Sequence, residues 1–162
     1  MKDTLYFILR LWLSLASLCL ASLCLVFNVS ATEIAVPPVV DASALPMLGN
    51  DWLKSNPYRG NAKAVEIGQS AFNQSCARCH GVDAMLGGGV PAPDLRQLNR
   101  YCQRIADTEL KAACMRDNDQ YFSKTVQQGK IIVGVMHMPP WKGVLSQELV
   151  WAIQTFIESR AR

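Results

Sequence analysis

The chain of 162 residues carries one C-x-x-C pair, at Cys76 and Cys79, and no second one. A zinc ribbon needs two such pairs to complete its four ligands, so that reading fails. No βαβ pattern surrounds the pair, and a thioredoxin-type dithiol therefore lacks its setting. Charge of one sign is not in excess either: 16 Lys and Arg face 13 Asp and Glu. Such a balance gives no case for nucleic acid. No stretch alternates apolar and polar residues in the manner of a half-buried strand, so the expectation is an all-α chain.

What the pair does have is an immediate neighbour, in Cys76-Ala77-Arg78-Cys79-His80. C-x-x-C-H is the signature of covalent c-type haem attachment. Two thiols three positions apart on a helical turn both reach the porphyrin vinyl groups and form thioethers. The adjacent imidazole then faces the iron as an axial ligand. Cys76 and Cys79 are therefore the expected attachment points, His80 the expected proximal ligand, and one haem c the expected cofactor.

The N-terminus has the make-up of an export signal. Lys2 and Arg10 precede an apolar run from Leu11 to Phe27, and Val29-Ser30-Ala31 offers small residues for cleavage after Ala31. Residues 1–31 are read as a secretory signal peptide, with periplasmic localisation as the consequence. The alternative is an uncleaved anchor, the chain's one route to a membrane, because the run is rather long for a leader and reaches the lower edge for a span. Cys19 and Cys24 lie inside this segment, each preceded by Leu, which argues against a lipoprotein.

Residues 32–59 hold Pro37, Pro38, Pro46 and Pro57, a density that breaks helices. They are expected as an extended arm, with Val36, Val39, Leu45, Leu48 and Trp52 laying part of it on the domain; a disordered arm is the alternative. Asn61 suits the cap of a helix running to about Ser75, with Val65, Gly68, Ala71 and Phe72 on one face. Gly68 there allows close approach of another helix. Residues 81–95, with Gly87, Gly88, Gly89, Pro91 and Pro93, read as a loop. Helix is expected over 95–117 and again from about Asp119 to Gln128, with Tyr121, Phe122 and Val126 inward and Gly129 as its stop. Residues 130–144 lack helical periodicity. A last helix starts at Ser146, with Leu149, Ile153, Phe156 and Ile157 in period.

With these pieces in place the chain resembles the class I c-type cytochromes over about residues 60–160, so 60–162 is taken as a cytochrome c domain. The likeness rests on Gly68 and Phe72 before the haem motif, on Pro93-Asp94-Leu95, on Met138-Pro139-Pro140-Trp141, and on the closing helix with Ile153 and Phe156. It implies a few helices wrapped around one covalently bound haem, the first and last crossing near it. Within the class the chain is most similar to the c-550 type, which accepts electrons from quinoprotein (pyrroloquinoline quinone) alcohol dehydrogenases. Asn56-Pro57-Tyr58-Arg59-Gly60 and the inserted Cys102 to Cys114 segment carry that narrower likeness.

A thioether on the iron's far side raises its potential. Met47, Met85, Met115, Met136 and Met138 are available; the family pattern picks Met138. Local chemistry agrees, since the residue before proline is extended and two prolines stiffen the chain beyond it. Met136 shares the face of Met138 in an extended segment and is the runner-up; His137, on the other face, would give a bis-His iron. The family also implies a proline carbonyl as acceptor for the remaining N–H of His80: Pro93 is chosen, with Pro91 close enough to compete. Cys102 and Cys114, left over in an oxidising compartment, are expected to form a disulfide, against two free buried thiols. Arg96, Arg100, Arg104, Lys111 and Arg116 are read as solvated faces, with Arg96 or Arg100 as a guess for a haem propionate.

With both axial positions filled, no site remains for substrate, and the expectation is an electron-transport protein and not an enzyme. The resemblance implies a role in alcohol oxidation, with a quinoprotein alcohol dehydrogenase as donor and a terminal oxidase or another cytochrome as acceptor. Two alternatives stand beside it. One is the haem subunit of a multi-subunit dehydrogenase complex; the other is a peroxidase or gas-binding protein, if the Met ligand is absent.

Overall fold

The computed structural model describes residues 34–86 and 92–161. The segment expected as a signal peptide, with its expected cleavage site, Cys19 and Cys24, and the loop residues Gly87, Gly88, Gly89 and Pro91 lie outside the described residues. The helices are α1 (Ala62–Ser75), α2 (Ala77–His80), α3 (Thr108–Gln128) and α4 (Gln147–Ser159). Single 3-10 turns lie at Val82–Ala84, Leu95–Gln97 and Cys102–Arg104. Strands β1 (Lys130–Ile132) and β2 (Val135–Met138) form an antiparallel pair. Among the described residues no helix is long and apolar enough to cross a membrane.

α1 and α4 form the centre. Asn61 starts α1, its side-chain oxygen accepting from the backbone N–H groups of Lys63 and Ala64 at 2.9 and 3.2 Å. Ser146 starts α4 in the same way, accepting from the Leu149 N–H at 3.3 Å. The helices cross at Gly68, where a Cβ would sit 2.0 Å from the Ala152 carbonyl oxygen. Only glycine admits a crossing that close. Beside it Phe72 and Phe156 meet with ring centroids 5.4 Å apart, and both are fully enclosed.

Every residue of α4 from Val150 to Ile157 is buried because the arm covers the face that α1 leaves open. Leu45 and Tyr58 pack there with Ala64, Ile67, Trp151 and Ala152. Extended backbone needs partners, and α4 supplies them. Gln147 accepts from the Leu53 N–H at 2.7 Å and donates to the carbonyls of Gly49 and Asp51, while Glu148 accepts from the Leu48 N–H at 2.9 Å. Tyr58 donates its hydroxyl to the Pro46 carbonyl. Trp52 lies 6.4 Å from Trp151, whereas Val36 and Val39 point to solvent.

The Asn56–Gly60 segment is held from the other side by a buried carboxylate. Asp119 of α3 is fully enclosed and accepts from the Asn56 N–H, from both terminal nitrogens of Arg59, and from Gln154. Arg59 reaches on to Glu158, which with Asp119 holds its guanidinium charged, well above its ordinary range; the Glu158 bonds come first. One carboxylate thus ties the arm, α3 and α4 together.

Three expectations need correction. No strand is expected from the sequence, yet β1 and β2 pair as Lys130 with Met138, Ile131 with Met136 and Ile132 with Val135, with a bulge after Lys130, beside the helices. Their connection, Val133-Gly134, has both residues at positive φ, as a two-residue hairpin turn of type I′ requires. Helix does not cover 95–117: separate 3-10 turns precede α3, which then runs unbroken from Thr108 through the expected gap near residue 118. Asn118 and Asp119 are poor helix formers, but tertiary bonds hold both, Asn118 donating to the Leu98 carbonyl at 3.0 Å. Finally, Phe122 and Val126 are inward but Tyr121 is not; its hydroxyl accepts from Lys130 at 2.8 Å.

Candidate functional site

The site grows from the end of α1. Cys76 caps that helix, its N–H donating to the Phe72 carbonyl at 2.7 Å, and the chain at once begins the short turn of α2. Cys76, Cys79 and His80 therefore leave one helical turn. Both thiols are unpaired with any other cysteine. The Cys76 thiol is pushed up to about 12, first by burial and then by Cys79. His80 is half-buried, and burial lowers its pKa, with its bond to Pro93 acting in the opposite sense. Its Nδ1 lies 3.3 Å from the Pro93 carbonyl oxygen. Pro91, the competing acceptor, lies outside the described residues.

The chain turns back sharply after His80. Gly81 sits at φ 79°, and a Cβ there would be 1.9 Å from the Met85 carbonyl oxygen. Asp83 anchors the return, accepting from Gln69 and Asn73 at 2.8 Å each, while its N–H donates to the Asn73 side-chain oxygen at 2.9 Å. The Asn73 and Gln69 bonds hold its carboxyl below the usual range. Gln69, Asn73 and Gly81 carry no sequence signal of this role beyond the position of the glycine directly after the motif.

Met138 closes β2. A Cβ on Gly129 would be 2.4 Å from the Met138 carbonyl oxygen and 2.8 Å from the Pro140 nitrogen. Gly129, at φ 71°, both ends α3 and admits the Met138-Pro139-Pro140 segment. Trp141 comes next, buried, its N–H donating to the Val126 carbonyl at 3.0 Å. Met138 packs on the same apolar cluster as Cys76, Ala77, Leu95 and Leu98, a cluster built from Phe72, Val126, Trp141, Ile153 and Phe156 among others. Met136 stands two residues earlier on the strand and is more exposed; His137, between them, is exposed. Met47 is almost fully exposed, and Met85 about half.

Cys102 and Cys114 are joined, with Cα atoms 5.5 Å apart. They close the segment between the Cys102–Arg104 turn and α3. Arg96 does not lie on a solvated face: it is bonded twice to Asp94, whose carboxyl it holds down at about 2.

Two thiols and an imidazole on one turn, opening with a thioether onto one apolar cluster, make a donor set that fits covalently attached haem. The family comparison agrees. The chain belongs to the class I c-type cytochromes, an electron-transfer family, and carries covalently bound haem c. The model of the family described as "Cytochrome C oxidase, cbb3-type, subunit III" matches residues 63–157. Over 156 residues, 94% of this chain and 93% of its relative, it is 39% identical to cytochrome c550 of Pseudomonas aeruginosa, a relationship that marks it as the c-550 kind. No solved structure matches the chain.

Proposed function

We propose that the chain is a periplasmic single-haem electron carrier, with haem joined to Cys76 and Cys79 and its iron held between His80 and Met138. The observation that carries this reading is the convergence of Cys76, Ala77 and Met138 on one apolar cluster. Haem ligated on both sides exchanges single electrons and has no position for substrate. The protein's own residues set its conditions. His80 donates its Nδ1–H to the Pro93 carbonyl, which fixes the ring and makes it a stronger ligand. Gly129 and the two prolines hold Met138 in an extended, stiff segment. The buried cluster around Phe72 and Trp141 keeps water away.

The donor is a quinoprotein alcohol dehydrogenase, and the acceptor is a terminal oxidase or another cytochrome; likeness to a cytochrome c550 supports this. Stopped-flow mixing of the oxidised protein with that dehydrogenase and an alcohol tests the donor. Saturable reduction is expected; no reduction by an enzyme that still reduces an artificial acceptor removes the donor. The family's description names an oxidase subunit, which favours a second reading as the haem subunit of a complex. Size-exclusion chromatography of native extract separates the two, with a free carrier eluting at its own mass.

A further inference from the structure

We propose that a second site, which shares Leu95, Leu98 and Ile157 with the apolar cluster of the haem site but none of its ligands, binds an amphipathic anion: a carboxylate or sulfonate on an apolar body. The site is a cavity of about 680 Å³ between residues 95–104, α3 and the end of α4. That volume suits a small ligand. None of Cys76, Cys79, His80 and Met138 lines it. Its apolar surface comes from Leu95, Leu98, Met115 and Ile157. The disulfide-closed segment builds one wall, since Arg104 is two residues past Cys102 and Met115 one past Cys114.

The charge on this cavity is one-sided. Four arginines line it, Arg59, Arg96, Arg100 and Arg104, against one carboxylate, Glu158. Glu158 is already engaged by Arg59 and by the Asn99 side chain at 2.8 Å. Arg59 is further committed to Asp119, and Arg96 to Asp94. Arg100 bonds to the neutral Gln97 at 3.1 Å, and among the described residues neither Arg100 nor Arg104 has a carboxylate in ion-pair range. Two guanidinium groups without counter-charge, at the rim of an apolar hollow, select a ligand with an anionic head and an apolar body. A planar fork of donors suits carboxylate or sulfonate oxygens better than a point charge does.

The test uses the oxidised holoprotein and two probes that share a ring system, naphthalene-2-sulfonate and the uncharged 2-naphthol, in equilibrium dialysis. The sulfonate should bind at one saturable site at least tenfold more tightly than naphthol. The double variant Arg100→Gln/Arg104→Gln should lose at least tenfold in sulfonate affinity while keeping the naphthol affinity. Equal binding of both probes, or sulfonate binding unchanged in the double variant, overturns the proposal. So does an absence of saturable binding at millimolar sulfonate, which would leave the two arginines to carboxylates of a protein partner.

Discussion

Replacing Asp119 by alanine should cost about 3–5 kcal/mol of stability, the range for breaking a buried charged pair by removing one partner. The magnitude comes from the groups left stranded. Gln154 is fully buried, and its Oε1 already has no partner, so losing Asp119 leaves both ends of that amide unpaired. The Asn56 N–H, also buried, loses its acceptor at 3.0 Å. Each such orphan costs about 1–3 kcal/mol. Arg59 counts for less, because about a third of its side chain is in water (35% exposed) and it keeps Glu158. Guanidinium unfolding of the oxidised holoprotein, followed by tryptophan emission, gives the number. A double-mutant cycle with Arg59→Ala should return a coupling of about 0.5–3 kcal/mol. The haem spectrum should not change, since Asp119 is not part of that site. A loss below about 1 kcal/mol, the value of an exposed pair, would refute the view that this carboxylate ties the arm to α3 and α4.

Gly129→Ala should destabilise by about 1–3 kcal/mol and weaken the oxidised-state charge-transfer band that reports methionine ligation, because its Cβ would push on the Met138 carbonyl. A variant with a full band would separate Gly129 from the placing of Met138. Converting Cys102 and Cys114 to serine should cost about 3 kcal/mol in the chain-entropy model, read from the unfolding midpoint, with the haem spectrum kept. Asp94 has a folded-state pKa depressed from 3.8 to about 2, chiefly by Arg96. Its contribution is therefore full above about pH 4 and is lost as pH falls toward 2. Asp94→Asn should flatten the acid limb of stability in that window, and an unchanged limb would contradict the pairing.

The haem motif and the two capped helices were legible because their signals are local: a five-residue chemistry, and Asn61 or Ser146 ahead of a helical period. Gly68 was legible too, as a small residue on an apolar face. The hairpin was not. Its strands are three and four residues long, and Val133 is a β-branched residue at φ 49°, a poor advertisement for a turn. Asp119 was hidden for a different reason. As the start of a helix, it looks like an N-terminal acid. Its place three residues before Phe122 and seven before Val126 puts it on the buried face of a longer helix, where a carboxylate signals a network. The arm's bonds to Gln147 and Glu148 join residues about a hundred positions apart, and no local pattern carries such pairings.

The central claim is the axial pair of His80 and Met138, and one spectrum taken on three proteins tests it. The oxidised wild type should show the charge-transfer band near the red end of the visible range that accompanies methionine ligation. Met136→Ala should retain it, and Met138→Ala should lose it while keeping covalent haem, a lowered potential and an iron open to added imidazole. A band that survives in Met138→Ala, or that disappears in Met136→Ala instead, would contradict the assignment.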